Sequence, residues 1–233
     1  DTPGVFKPHA KLGSILLRDA ENAKEGVDVI LYVIDASEAP NFELAQKLSK
    51  QDIPVIVAFN KIDLCRIDIA KERLARYQEV LPKAQFIETS AKDGFNIDTI
   101  LNCLKDKLPE GETYYPLDMV SDHPMEFIIA EIIREKCMRT LDKEVPHSIY
   151  VDVKSVEEED DGIEVRANII VDKDSEKGIV IGQNGKMIST ISKFSETAIS
   201  AYFGKPCYCD LVVKCIPGWR NSDKYLKKFG YED

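Results

Sequence analysis

Asn60-Lys61-Ile62-Asp63 stands immediately after the apolar run Val55-Ile56-Val57-Ala58-Phe59, and these residue types at this spacing suit one ligand. Guanine presents two adjacent donors, its ring N1–H and its exocyclic amine, and an ionised carboxylate such as Asp63 accepts from both. Adenine cannot offer that pair. Asn60 can brace the loop and reach the ring nitrogen of the base, and the long stem of Lys61 can lie over the base plane. A second segment, Thr89-Ser90-Ala91-Lys92, also follows an apolar run, Phe86-Ile87-Glu88. Its expected contribution is backbone donation: the Ala91 N–H to the guanine carbonyl oxygen, with Ser90 fixing the turn and Lys92 adding apolar cover.

Asp1-Thr2-Pro3-Gly4 supplies what a triphosphate needs upstream of a base reader. The acid can hold a Mg²⁺-bound water, and the glycine lets a backbone amide approach a γ-phosphate. Val5 follows, where a glutamine would orient an attacking water, so no catalytic side chain is evident and another group must align the water. A phosphate cradle needs G-x-x-x-x-G-K-[ST]. Gly185-Lys186 has Val180 in place of the first glycine and Met187 in place of the Ser or Thr, and Gly204-Lys205 is followed by Pro206, so neither Gly-Lys pair fits. The phosphate loop, first switch and first strands are therefore expected upstream of Asp1.

Gly182-Gln183-Asn184-Gly185 follows Ile179-Val180-Ile181 and opens an amphipathic segment. Two glycines let backbone approach backbone, and a helix N-terminus beside Lys186 favours phosphate. A clamp on single-stranded nucleic acid is the chemistry expected.

The elements that must position these residues fall into two groups. Between residues 27 and 90 three apolar runs, Val27 to Ala36, Pro54 to Phe59 and Gln85 to Thr89, alternate with helical patterns, which reads as a parallel α/β sheet covered on both faces. Leu44, Ala45 and Leu48 mark one helix, Ile67 to Val80 another, and Ile97, Ile100, Leu101, Leu104 and Leu108 a third. A linker over residues 110–123 separates this α/β part, residues 1–109, from a second domain over residues 124–233. There Met125, Ile128, Ile129, Ile132 and Ile133 space as a helix. Two alternating strands, Ile149 to Val153 and Ile163 to Val171, flank the acidic turn 157–162 as a hairpin, and Cys207 to Val213 supplies a third strand. Trp219 reads as a core plug.

With 44% hydrophobic and 31% charged residues the chain is globular, and no apolar run reaches the roughly 18 residues that a spanning helix requires. The net charge of −10 argues against non-specific coating of nucleic acid. Its distribution is uneven: residues 177–228 carry +6, the remainder −16. Six cysteines without a C-x-x-C pair fit a reduced, cytoplasmic setting, and Cys207, Cys209 and Cys215 read as a packed strand face rather than metal ligands.

The order of these motifs resembles the Era-type GTPases of the TrmE–Era–EngA–Septin-like class, over essentially all 233 residues. Apolar Val5 after Asp-Thr-Pro-Gly is similar to that class, and Gly182 to Gly185 resembles the loop of a KH domain, which clamps about four nucleotides. The resemblance implies a partial P-loop G domain with a mostly parallel sheet, its first strands missing, followed by an α+β type II KH domain and a basic tail. It implies GTP, GDP and Mg²⁺ as ligands. It also implies hydrolysis of GTP in the complete protein, and binding of the 3′ end of small-subunit ribosomal RNA during 30S subunit assembly. DNA is not expected, and peripheral association with the membrane is left open. The competing reading is a non-enzymatic KH-type RNA-binding protein with a degenerate G half.

Overall fold

The computed structural model describes residues 2, 10–113, 115, 116, 119, 121–142 and 145–231. They fall into two compact units, the first drawn from residues 2 and 16–113 and the second from residues 10–15 and 115–231.

Parallel strands β1 (Ile30–Asp35), β2 (Val55–Asn60) and β3 (Gln85–Glu88) make the sheet of the first unit, in the order β1-β2-β3. Helix α1 (Lys11–Asn22) precedes them, and α2 (Glu43–Leu48), α3 (Ile67–Val80) and α4 (Ile97–Lys105) connect and follow the strands. The period of a strand explains β2. Val57 and Phe59, both fully buried, pack on one face with Ile34, Ala45, Leu48, Ala70 and Tyr77. Ile56 and Ala58 point the other way into a cluster with Ile87 and Ile100. Two-sided burial is thus met by β2 but not by β1. Leu31 and Val33 are 41% and 56% exposed, because β1 is an edge among the described strands and no element among the described residues covers these two side chains.

In the second unit the order is α5 (Met125–Thr140), β4 (Tyr150–Glu158), β5 (Ile163–Val171), α6 (Asp174–Ile181), α7 (Lys186–Phe203), β6 (Cys207–Cys215) and α8 (Asp223–Lys228). β4 and β5 form an antiparallel hairpin with a register shift between Val153 and Ser155, and β6 adds parallel to β5. Ile129, Ile133 and Cys137 of α5 and Ile191 and Ile199 of α7 pack on the inward residues Val151, Ile163, Val165, Ile169 and Val213. Burial pushes the Cys137 thiol up to about 12, as befits a small core hydrophobe. Strand β6 is capped at one point along its edge: the Cys209 N–H donates to Glu196 Oε1 at 3.0 Å and Ser192 Oγ donates to the Cys209 carbonyl at 2.9 Å, both partners on α7. The sulfurs of Cys207 and Cys209 lie 3.8 Å apart on the helix-facing side.

Trp219 is 1% exposed and anchors a second cluster with Ile170, Leu226 and Phe229. Its ring meets Phe229 edge-on at 5.5 Å, and Tyr150 stacks on Phe229 at 4.0 Å. Replacing a fully buried indole leaves a cavity that neighbours only partly fill, so Trp219→Ala should cost about 3–5 kcal/mol. Urea unfolding followed by far-UV circular dichroism measures this, because Trp219 is the sole tryptophan and its fluorescence disappears with it. A loss below about 1 kcal/mol, the scale of a surface substitution, would contradict the core assignment.

Candidate functional site

Asn60 closes β2, and its Cα stands in register opposite Asp35, the last residue of β1. The carboxyl ends of these strands are therefore level, which is where open parallel sheets bind ligands. Backbone bonds tie the next loop to the same place. Thr89 N–H donates to the Phe59 carbonyl at 2.9 Å and Ile62 N–H donates to the Thr89 carbonyl at 3.3 Å. Loops 60–64 and 89–92 are thereby held side by side. Side chains complete the arrangement: Ala91 N–H donates to Asn60 Oδ1 at 2.9 Å.

Within this frame each expected residue has a distinct position. Asp63 sits in a short 3-10 turn, Ile62–Leu64, and is exposed, and among the described residues no group donates a hydrogen bond to its carboxylate. Two acceptor oxygens are thus available at the strand ends. Thr89 and Ser90 are buried and structural: Thr89 Oγ1 donates to the Ile87 carbonyl at 3.1 Å, and Ser90 Oγ donates to Asp93 Oδ2 at 2.9 Å. Ser90 and Phe95 exchange backbone bonds across the tight turn, and Asn96 Nδ2 closes it by donating to the Glu88 carbonyl at 2.8 Å. Lys92 is exposed.

The Ala91 N–H does not lie open for a guanine carbonyl but is taken by Asn60, since a loop amide finds an acceptor where one is within reach. A guanine carbonyl arriving at Ala91 would share that donor with Asn60, leaving Asn60 Nδ2 as a second donor to the same edge of the base.

Lys61 holds a left-handed backbone conformation, φ 62° and ψ 34°, and its Nζ lies 2.6 Å from Asp35 Oδ2. The hydrogen bond to Asp35 raises the Lys61 pKa first, with the Asp35 charge adding to it. For Asp35 burial works upward, yet the hydrogen bonds from Lys61 and Ser37 outweigh it and hold the carboxyl below its ordinary range. Asp35 is absent from the residues that the sequence motifs mark, although a carboxylate ending the apolar run of a neighbouring strand is a signal that could have found it. Of Asp1-Thr2-Pro3-Gly4 only exposed Thr2 is among the described residues. Asp1, Pro3, Gly4 and Val5 lie outside them.

The second unit carries the glycine loop between two helices. Gly182 N–H donates to the Gly178 carbonyl at 2.9 Å and ends α6, and Gly185 N–H donates to the Gly182 carbonyl at 3.2 Å. Gly182 has φ 73° and ψ 175°, a region essentially reserved for glycine, and a Cβ there would stand 2.6 Å from Met187 Cβ and 2.9 Å from its backbone nitrogen. Gly185, at φ 74°, faces open space. Gln183, Asn184 and Lys186 are exposed. Helix α7 starts with no side-chain cap and no acid in its first turn; its first amide, Lys186 N–H, donates to the Gln183 carbonyl, and the helix terminus favours an anion through its dipole. Glu176 fixes the preceding helix: 8% exposed, it accepts from Ser148 Oγ at 3.0 Å and from the Asp172 and Lys173 amides at 3.0 and 3.2 Å. The acidic turn after β4 is exposed, and Lys205 Nζ meets Glu158 at 2.6 Å. No group of three or more His, Cys, Asp or Glu among the described residues could hold a metal ion, and no described helix is long and apolar enough to cross a membrane.

A parallel sheet with two loops laced together at its strand ends, joined in one chain to a helix-first KH unit, defines a GTP-binding protein of the RNA-associated kind. Known proteins agree with both halves: the family model for the elongation factor Tu GTP binding domain matches residues 17–110, and that for the KH domain matches residues 144–220. GTPase Era of Staphylococcus haemolyticus (strain JCSC1435) is 37% identical over 235 residues, covering 99% of this chain and 79% of that protein. A crystal structure of Era with MgGDPNP and nucleotides 1506–1542 of 16S ribosomal RNA superposes with a TM-score of 0.91 at 33% identity, covering 100% of this chain and 81% of that one. A variant of Aquifex aeolicus Era bound to GDP and aluminium fluoride gives 0.87 at 32% identity, with coverage of 100% and 81%. The chain belongs to the GTPase Era family.

The glycine loop generates a paired expectation. Gly182→Ala puts a Cβ against the Met187 backbone in a conformation that alanine avoids, whereas Gly185→Ala meets only the left-handed penalty of about 1–2 kcal/mol. Urea melts of the two variants should therefore rank Gly182→Ala as the more damaging, and the reverse order would show that the loop is not shaped as described.

Proposed function

We propose that this protein binds GTP and GDP through the strand-end site of its first unit and hydrolyses GTP. Its KH unit binds the 3′ end of small-subunit ribosomal RNA, and the protein assists assembly of the 30S subunit in the cytoplasm. The observation that carries this reading is the bond from Ala91 N–H to Asn60 Oδ1, which joins the two base-reading loops beside an Asp63 carboxylate that has no hydrogen-bond donor among the described residues. Era itself has been crystallised with MgGDPNP and 16S ribosomal RNA together, which supports extending the reading to both units.

Asp63 accepts from the ring N1–H and amine of guanine, Lys61 and Lys92 cover the base with their stems, and Asn60 with Ala91 donates to its carbonyl edge. Thr89 and Ser90 hold the turn, and Ile62 occupies the spacer position. Mg²⁺, when bound, would supply positive charge against the phosphates. Asp1 would hold it through water, with Thr2, Pro3 and Gly4 placing an amide near the γ-phosphate. The Val5 side chain has no polar atom to orient the attacking water, so that task falls to another group. In the KH unit Gly182 and Gly185 admit the sugar–phosphate backbone past Gln183 and Asn184, and Lys186 with the α7 amides draws the phosphates.

Exchanging Asp63 for Asn replaces one acceptor by a donor, and xanthine presents a carbonyl where guanine presents its amine. In the full-length protein Asp63→Asn should move preference from GTP to XTP, within the roughly 10⁴-fold that a buried hydrogen-bonding site can discriminate. Competition titration against fluorescent GDP measures it, and an unchanged GTP to XTP ratio removes Asp63 from the site.

For the RNA clamp, Gln183→Asp with Asn184→Asp places two negative charges where phosphates pass while leaving both glycines. Single-stranded RNA affinity should drop, and stability should change by no more than about 0.5 kcal/mol because both side chains are exposed. Unaltered RNA affinity together with an unaltered melt would place the RNA site elsewhere.

A further inference from the structure

Lys61 has a dedicated counter-charge outside the four residues that read the base. Asp35 Oδ2 lies 2.6 Å from Lys61 Nζ, and the two side chains are 20% and 52% exposed. Its other oxygen is already occupied: Ser37 donates both its backbone N–H, at 2.9 Å, and its hydroxyl, at 2.6 Å, to Asp35 Oδ1. The carboxylate is thus fixed in orientation, with Oδ2 left for the lysine. Because Asp35 stands opposite Asn60 in the β1–β2 register, the lysine stem is stretched between the carboxyl ends of neighbouring strands. On the other side Asn60 reaches towards β3 to take the Ala91 N–H. Two side-chain bonds therefore lace all three strand ends across the crevice.

An unpinned lysine stem samples many rotamers, and ordering it at the moment of binding weakens affinity. A stem already held at both ends avoids that loss. We propose that Asp35 is a positioning residue of the guanine site: it anchors the Lys61 ammonium at the end of β1 so that the methylenes form a ready shelf for the plane of the base. The inference rests on the reading that Asn60-Lys61-Ile62-Asp63 takes guanine, and it adds a residue outside that motif. Asp35 acts only through Lys61, which separates it from a group that touches the nucleotide.

The test is a set of fluorescent-GDP titrations on the full-length protein, each beside a thermal melt. Asp35→Ala should weaken GDP binding about tenfold, the order expected for releasing one rotamer-rich side chain. Asp35→Asn, which keeps the shape and an acceptor for Ser37 but drops the charge, should weaken it similarly without lowering the melt. Asp35→Glu should recover most of the affinity. In a Lys61→Met background, which retains an apolar stem without an ammonium, Asp35→Ala should have no further effect. The preference for GDP over XDP should stay at its wild-type value throughout, because Asp63 is untouched.

Unchanged affinity in both Asp35→Ala and Asp35→Asn overturns the proposal. So does tighter binding, which would make Asp35 a competitor for the lysine, or an equal tenfold loss in the Lys61→Met background, which would mean that Asp35 acts by another route. Asp63→Ala in the same titration separates this proposal from the reading beneath it. If Asp63→Ala leaves GDP affinity intact, the guanine site itself is misassigned. If Asp63→Ala abolishes binding while the Asp35 variants bind as wild type, only the positioning role fails.

Discussion

Burial of β2 on both faces is the constraint from which the nucleotide site follows. Val57 and Phe59 face one helix layer and Ile56 and Ala58 the other, so the strand cannot slip by one residue without exchanging its two clusters. That fixed register delivers Asn60 level with Asp35 and next to the loop after β3. Once Asn60 is there, its side chain has an unpaired loop amide within reach and takes it. The geometry on which the proposed base recognition rests is therefore a consequence of core packing. Exposed residues such as Asp63 and Lys92 need no packing of their own, because the loops that carry them are tied at both ends to buried strands.

The KH unit reaches its site by a different route. Its sheet and the helices α5 and α7 form the core, but the functional loop is defined by a backbone that only glycine accepts at Gly182. Close approach of Met187 leaves no volume for a side chain at the point where α6 gives way to α7. Glu176 steadies the first of these helices from beneath, with three donors converging on one carboxylate oxygen. Rigid helices on both sides with an open tip between them suit a ligand that is itself a flexible strand.

Much of this is legible in the sequence, for physical reasons that differ by element. Helix α3 spans Ile67–Val80 and the strands of the hairpin fall where alternation places them, because local period decides both. The apolar run of β1 reads as two-sided although Leu31 and Val33 are exposed among the described residues, since a continuous apolar run does not say whether a second layer covers it. Helix α6 is not legible. Asp174-Ser175-Glu176-Lys177 reads as a polar turn, Gly178 interrupts the helical pattern, and Ile179-Val180-Ile181 has the look of a strand. Glu176's reach back to the Lys173 amide, the reciprocal bond that starts a helix, is its one local sign. The bonds Ala91–Asn60, Lys61–Asp35 and Cys209–Glu196 join residues far apart in the chain, and no period or local propensity announces them.

The most direct test of the central claim, that guanine is read at the carboxyl ends of β2 and β3, is a crystal structure of the full-length protein with GDP. The base should lie between loops 60–64 and 89–92, with both Asp63 oxygens within about 3.2 Å of the ring N1–H nitrogen and the exocyclic amine. A base seated elsewhere on the sheet, or an Asp63 carboxylate that still faces solvent beside a bound nucleotide, would contradict it.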